Sequence, residues 1–308
     1  MKNSYFKYIA SLLLFGSNGI VASYIKLTSY EIVLLRSLIG SLFLISVFLA
    51  TKRTPSFHHH KKDLLLIVIS GIAMGTSWMF LYEAYAQIGV SISSLLYYCG
   101  PVIVMIASPI LFREKLSLIK MIGFAAVVLG ILLINGNAFK NGGNLFGIFC
   151  GIMSAVMYAV MVIANKKSQH ITGIENSVLQ LISGCMTVAL FVGIKNGFAF
   201  RIHTNDWMWI FILGVLNTGI GCYFYFSSIE RLPVQTVAIC GYLESLSAVL
   251  FAAIFLSEKM LPLQILGAVL IIGGAVCGEC FSVKRKASAK EFLSVIRYYP
   301  SKNGCAVV

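Results

Sequence analysis

Arg36 and Glu244 are hard to reconcile with their neighbours, because each is an ionisable group inside a long apolar run. An ionised side chain at the centre of a bilayer costs about 2.5–3.5 kcal/mol on insertion scales, so it needs a partner, a wet cavity or an escape to the interface. Glu244 lies about eleven residues beyond Pro233, which at 1.5 Å per helical residue puts it roughly 16 Å deep, too far for a short side chain to snorkel. A carboxylate there either binds a cation, an amine or a proton, or is protonated and hydrogen-bonded across helices. Arg36 lies about 9 Å into its run by the same rise, and its long stem can partly snorkel. It is either a cation for substrate carboxylates or half of a structural ion pair. Glu83, in the outer third of another run, is the partner expected for Arg36, a carboxylate at the water edge being the alternative.

Around these charges the sequence places Trp78, Tyr82, Tyr97, Tyr98, Tyr223, Tyr225 and Tyr242, together with the amides Asn18, Asn217 and Gln180. Apolar walls carrying a few hydrogen-bonding groups suit a small-molecule cavity. Pro101 removes a helical hydrogen bond and strains the carbonyl of Tyr97, and Gly100 beside it eases a bend, so the pair is either a gating hinge or a packing feature. The expected substrate-binding set is Glu244, Arg36, Tyr97, Tyr98, Tyr242, Trp78, Glu83 and Gln180, with Gly100 and Pro101 for gating. Glu114 and Glu258 sit at run ends beside lysines and read as loop anchors.

The elements that must position these residues follow from composition. With 58% hydrophobic and 11% charged residues and a mean hydropathy of +0.88, the chain lacks the solvated skin of a soluble globule. Ten apolar runs long enough to span a bilayer as helices cover residues 7–25, 30–50, 63–85, 90–112, 117–136, 145–165, 175–195, 207–229, 233–256 and 262–281. Basic residues crowd the side of the termini, including Lys52, Arg53, Lys61, Lys62, Arg113, Lys166 and Lys167, whereas Lys26, Lys140, Lys195, Arg201 and Lys259 stand opposite. The positive-inside rule then makes both termini cytoplasmic, in the plasma membrane. That placement accounts for the net charge of +13 without a nucleic-acid partner.

An internal echo organises the whole. The segment Tyr97–Lys115 recurs 144 residues later as Gly241–Lys259, and at that offset Gly40 falls on Gly184, Gly75 on Gly219, Tyr98 on Tyr242, Glu114 on Glu258, Gly123 on Gly267 and Gly130 on Gly274. Five runs per half is an odd number, so the second half must enter the membrane upside down. The expected fold is an all-α integral membrane protein of ten transmembrane helices in two inverted five-helix repeats, 1–137 and 138–281, followed by a basic cytoplasmic tail, 282–308. Inverted repeats around a midplane site are a recurring transporter architecture.

Arg36, the run LYEAYAQIGVSISSLLYYCGPVIVMIASPILFREKLS from Leu81 to Ser117, and the glycines Gly123 and Gly130 together resemble the drug/metabolite transporter superfamily, specifically EamA-type permeases. The resemblance covers nearly all of residues 7–281 and implies a five-plus-five inverted-repeat fold with a central cavity. It also implies export or exchange of small polar metabolites such as amino acids, with drugs as further candidates. The second half departs from the family pattern at Ser245, where a proline is common, and Gln180 stands at the position matching Arg36. The halves are therefore not expected to move identically.

Seven of the eight cysteines lie in apolar runs and Cys305 lies in the polar tail, so neither a disulfide framework nor a zinc site is supported. His58, His59 and His60 read as a solvated loop rather than a metal tract. There is no phosphate-binding GxxxxGK[ST], no HExxH and no buried Ser-His arrangement, so no cofactor, metal or catalytic residue is expected. The leading expectation is a secondary transporter with a small-molecule substrate and the lipid bilayer as its partners, and a homo-oligomer is compatible with the sequence. The alternatives are a non-transporting sensor or assembly subunit, and an intramembrane enzyme.

Overall fold

In lipid a spanning segment must satisfy its backbone polar groups internally, which apolar runs of this length achieve as helices. The computed structural model describes residues 2–52, 55–114, 117–135, 144–195, 202–255, 262–263, 265–274 and 277, and among the described residues there is no strand. In chain order the helices are α1 (Lys2–Gly16), α2 (Asn18–Ser23), α3 (Ser29–Ala50), α4 (Lys61–Tyr97), α5 (Cys99–Phe112), α6 (Leu118–Asn135), α7 (Leu145–Lys167) and α8 (Ile174–Lys195). They continue with α9 (Trp207–Phe211), a π-helical segment (Ile212–Ile220), α10 (Gly221–Ile229), α11 (Val234–Gly241), α12 (Leu243–Phe255) and α13 (Ile265–Gly274). Among the described residues, six stretches can cross a membrane by length and apolar composition: Asn3–Ser23, Ser29–Ala50, Lys61–Ile88, Leu145–Lys167, Ile174–Lys195 and Thr204–Ile229. Shorter apolar helices occupy Cys99–Phe112, Leu118–Gly130 and Ile265–Gly274. The chain is a multi-pass, all-helical membrane protein.

The expected third and fourth runs are joined in one 37-residue helix, α4. The chain nevertheless reverses inside it. Ser70 Oγ donates to the Met161 carbonyl and Ser77 Oγ to the Ser154 carbonyl, and Gln87 abuts Gly147, so this part runs antiparallel to α7. Leu96 then abuts Gly151, and Gly100 abuts Ala155 and Tyr158, so the chain is climbing back along α7. Without a proline between Gln87 and Leu96, helical hydrogen bonding carries on through the turn.

Three runs are interrupted. The fourth breaks at Tyr98 (φ −69°, ψ −3°) and the ninth at Tyr242 (φ −69°, ψ −12°). The first breaks at Ser17, where Asn217 Nδ2 donates to the Leu14 carbonyl and to Ser17 Oγ, each at 2.8 Å. Pro109 lies within α5 and cannot donate to the Met105 carbonyl. Ser108 Oγ donates to that carbonyl at 3.0 Å instead, so the helix continues.

Close helix crossings occur at small residues. A Cβ on Gly130 would lie 2.6 Å from the Gly267 carbonyl oxygen, and one on Gly274 would lie 2.5 Å from that of Gly123, so α6 and α13 meet backbone to backbone. Gly40 faces Gly214 and Thr218 of the π segment, and Gly184 faces Gly71 and Met74 of α4. Small residues at such crossings let backbones approach and gain packing where no hydrophobic drive exists.

At the end of the bundle that holds the N-terminus, acidic side chains tie loops to helix ends. Glu114 accepts the Val234 N–H at 2.8 Å and the Gln235 N–H at 3.2 Å, which caps the start of α11. Asp63 accepts the His170 N–H at 2.7 Å, and Glu175 accepts the N–H groups of Ser56 and Phe57 at 2.7 and 2.9 Å. Glu258, Lys115, Lys259 and the tail 282–308 lie outside the described residues.

Candidate functional site

The interrupted helices enclose a cavity of about 550 Å³, a size typical of small-molecule sites. Its upper wall comes from α2, the start of α3 and the second half of the antiparallel arm of α4, so it lies in the half of the bundle away from the N-terminus. Of the residues expected from the sequence, Arg36, Trp78, Tyr97, Tyr98 and Glu244 line it.

Arg36 is 7% exposed, and its guanidinium lies over the Trp78 ring, 4.4 Å from the centroid. An indole face attracts a desolvated cation but gives its N–H groups no acceptor. Its Nε is buried without a hydrogen-bond partner. A buried donor left unpaired costs free energy unless something else fills the role. Across the cavity Glu244 sits in the first turn of α12, one step past the break at Tyr242. Its carboxylate makes no hydrogen bond or ion pair among the described residues, and Arg36 lines the same cavity.

The floor is aromatic. Tyr97 packs edge-on against Tyr158, centroids 5.4 Å apart, and the Tyr158 and Tyr225 hydroxyls lie 3.2 Å from each other. Tyr8 closes this layer from beneath, 5.5 Å from Tyr225, and its hydroxyl donates to the Val237 carbonyl at 2.8 Å. Tyr158 and Tyr8 are absent from the sequence-derived set. The available signal was a phenol in the middle of an apolar run, since a buried tyrosine hydroxyl usually needs a partner.

Other expected residues lie elsewhere. Tyr242 is 1% exposed and donates its hydroxyl to the Tyr98 carbonyl at 2.8 Å, so it couples the two helix breaks from behind the cavity wall. Gly100 and Pro101 are buried behind the lining, with Gly100 against the Tyr158 ring. Gln180 is fully buried on α8 and accepts from Asn165 Nδ2 at 3.1 Å.

Glu83 corrects the expected pairing with Arg36. Its carboxylate accepts from the Tyr30 hydroxyl and Lys195 Nζ, and from Gln87 Nε2 at 3.1 Å. Arg36 meets Trp78, more than one helical turn away along α4, and Lys195 of α8 reaches Glu83 first. Arg36 therefore has no carboxylate partner from the protein among the described residues. Two opposite charges that line one aromatic-walled cavity, neither with an ion-pair partner among the described residues, can hold a small molecule bearing both a carboxylate and an ammonium group.

The EamA-like transporter family matches residues 3–136 and 145–277. An uncharacterized transporter of Bacillus subtilis, YxxF, is 27% identical over 271 residues, covering 87% of this chain and 86% of its own. An uncharacterized transporter of Helicobacter pylori is 26% identical over 269 residues, covering 82% and 88%. A solved crystal structure superposes with a TM-score of 0.78 at 17% identity, covering 92% of this chain and 99% of its own, which speaks to the fold.

Proposed function

The chain belongs to the EamA-like transporter family, and from that premise we propose that it is a secondary transporter of small zwitterionic metabolites, amino acids foremost, across the cytoplasmic membrane. The observation that supports the substrate class is the pair Arg36 and Glu244, which line one cavity, neither with an ion-pair partner among the described residues and Arg36 Nε buried without a hydrogen-bond partner. Arg36 would hold the substrate carboxylate and Glu244 its ammonium group, with Trp78, Tyr97 and Tyr98 against the rest. The neutral form of Glu244 would carry a proton when substrate is absent, which couples transport to a pH gradient.

Ten spans in two inverted halves, moving by alternating access, form part of this reading. It is supported by contacts that repeat at the offset of 144 residues: the breaks at Tyr98 and Tyr242, the crossing of Gly123 and Gly130 with Gly274 and Gly267, and the matched pairs of Gly40 with Thr218 and Gly184 with Met74. The cavity lies in the half away from the N-terminus, so with cytoplasmic termini it faces outward. Export or exchange is the direction the family resemblance suggests. A sensor or an intramembrane enzyme needs neither a paired-charge cavity nor a repeat.

The deciding experiment reconstitutes the protein in vesicles and follows uptake and efflux of labelled amino acids with and without a pH gradient. Gradient-driven movement, lost in the Arg36→Ala variant for carboxylate-bearing substrates, is the expected result. Equal transport of an amine lacking the carboxylate by both proteins would rule out the zwitterion.

A further inference from the structure

The wall of the open cavity has a copy in the other half of the chain. At the offset of 144, Ala22, Ile32, Arg36, Tyr82 and Tyr85 of the open wall fall on Lys166, Asn176, Gln180, Phe226 and Ile229. In the open half these positions stand apart around the cavity. In the other half their copies close on one another.

Lys166 and Glu230 stand at the edge of a cavity of about 660 Å³, and hydrogen bonds link them to the helix ends and amides closed beneath it. Lys166 Nζ donates to the carbonyls of Ile229 at 2.6 Å, Glu230 at 2.8 Å and Leu232, holding the end of α10. Asn176 Nδ2 donates to Glu230 Oε1 at 3.0 Å, and Asn165 Nδ2 donates to Asn176 Oδ1 at 2.9 Å and to Gln180 Oε1 at 3.1 Å. Asn165, Asn176, Gln180 and Ile229 are each 0% exposed, and Phe226 is 1% exposed. Gln180 Nε2, at the copy of the Arg36 position, is buried without a hydrogen-bond partner. Three primary amides in a hydrocarbon-facing protein are costly to bury, and a leftover donor among them is unexplained by packing alone.

We infer that Lys166, Asn176, Gln180 and Glu230 are the lining of a second, closed substrate vestibule on the side of the N-terminus, held shut by their mutual hydrogen bonds. Opening it separates α7 and α8 from α10. Lys166 is then released to meet a carboxylate, Glu230 to meet an ammonium group, and the amides to hydrogen-bond the substrate's remaining polar atoms. The two vestibules recognise the same zwitterion with different groups: one buried guanidinium outside, and an ammonium with neutral amides inside. The assignment rests on the alternating-access reading above.

The test is thiol accessibility in the full-length protein. Cysteine is placed at the copied positions in the Asn176→Cys and Ile229→Cys variants, and at the open wall in the Ile32→Cys variant. A membrane-impermeant maleimide is added from either face of oriented vesicles, with and without an equimolar mixture of the common amino acids. Modification is read at the introduced residue by mass spectrometry, so native cysteines do not interfere. Residue 32 is expected to react from the face opposite the N-terminus. Residues 176 and 229 are expected to react from the N-terminal face, with rates that shift several-fold when amino acids drive turnover. The second closed-side variant serves if the first fails to fold. Retained transport with a substrate-responsive residue 32, but no reaction at 176 or 229 from the N-terminal face, would overturn the vestibule and leave the transport reading standing. No transport by the unsubstituted protein and no response at residue 32 would overturn both.

Discussion

The segments around Tyr98 and Tyr242 occupy equivalent places in the two halves, and both interrupt a helix, yet only the first contains the proline that sequence reasoning makes responsible for a bend. Pro101 stands where the second copy has Ser245, and the backbone at the two breaks is nearly the same, ψ −3° and −12°. The break at Tyr98 puts Pro101 in the first turn of α5, where an N–H has no intrahelical acceptor in any case. Its ring is therefore tolerated there rather than required. What joins the breaks is a single cross-bond, from the Tyr242 hydroxyl to the Tyr98 carbonyl at 2.8 Å. One tertiary bond ties the two interruptions together.

The copies differ where the chemistry lies. Glu244 faces the cavity, and its counterpart Gly100 is pressed against Tyr158, where a Cβ would lie 2.6 Å from the ring. One copy thus has room for a carboxylate and the other has none.

The largest effect is expected from Glu244→Gln, which removes the charge that only the second copy carries. A hydrogen bond to a charged group is worth about 1.5–3 kcal/mol, so amino-acid transport in vesicles falls by about ten- to a hundredfold and loses its dependence on a pH gradient. Normal, pH-responsive transport would remove the functional distinction between the copies. Next, Gly100→Ala forces a methyl group into the Tyr158 ring. Overpacking of this kind costs about 1–3 kcal/mol, seen as a lower midpoint in thermal unfolding of the detergent-solubilised protein. An unchanged midpoint would show that the first copy has room after all.

Tyr242→Phe deletes the hydroxyl that bridges the breaks. A loss of about 1 kcal/mol of stability is expected, along with faster hydrogen exchange at the first turn of α5. Exchange unaffected there would mean that the breaks are independent. Pro101→Ala is expected to cost only the burial of two ring carbons, a stability change of about 1–2 kcal/mol measured in the same unfolding assay, with the break at Tyr98 kept. A change of several kcal/mol would restore the proline as the cause of the first break and separate the two copies again.

Much of the architecture was legible in composition and periodicity. Apolar runs of sufficient length declared themselves as helices, and the echo at Tyr98 and Tyr242 pointed to matching elements. An expected depth could be counted along each run, because a helix rises by a constant 1.5 Å per residue. Direction around the helix axis could not. Arg36 and Glu83 were paired on expected depth, yet Arg36 turns to Trp78 while Glu83 is taken by Lys195, 112 residues further along the chain. Tyr158 went unremarked for the same reason: its place in the cavity floor depends on the packing of α7 against Tyr97 and Tyr225.

By itself, then, the sequence determined that the chain suits lipid, that it carries an echo at an offset of 144 residues, and that Arg36 and Glu244 are charges in need of an explanation. Residue type and spacing are enough for those matters. Only the tertiary structure decided that these two charges line one cavity with no ion-pair partner among the described residues, that the amides of Asn165, Asn176 and Gln180 close on one another, and that Tyr242 ties the two helix breaks together. Those outcomes depend on which faces of separate helices meet, and a one-dimensional pattern leaves that rotation open.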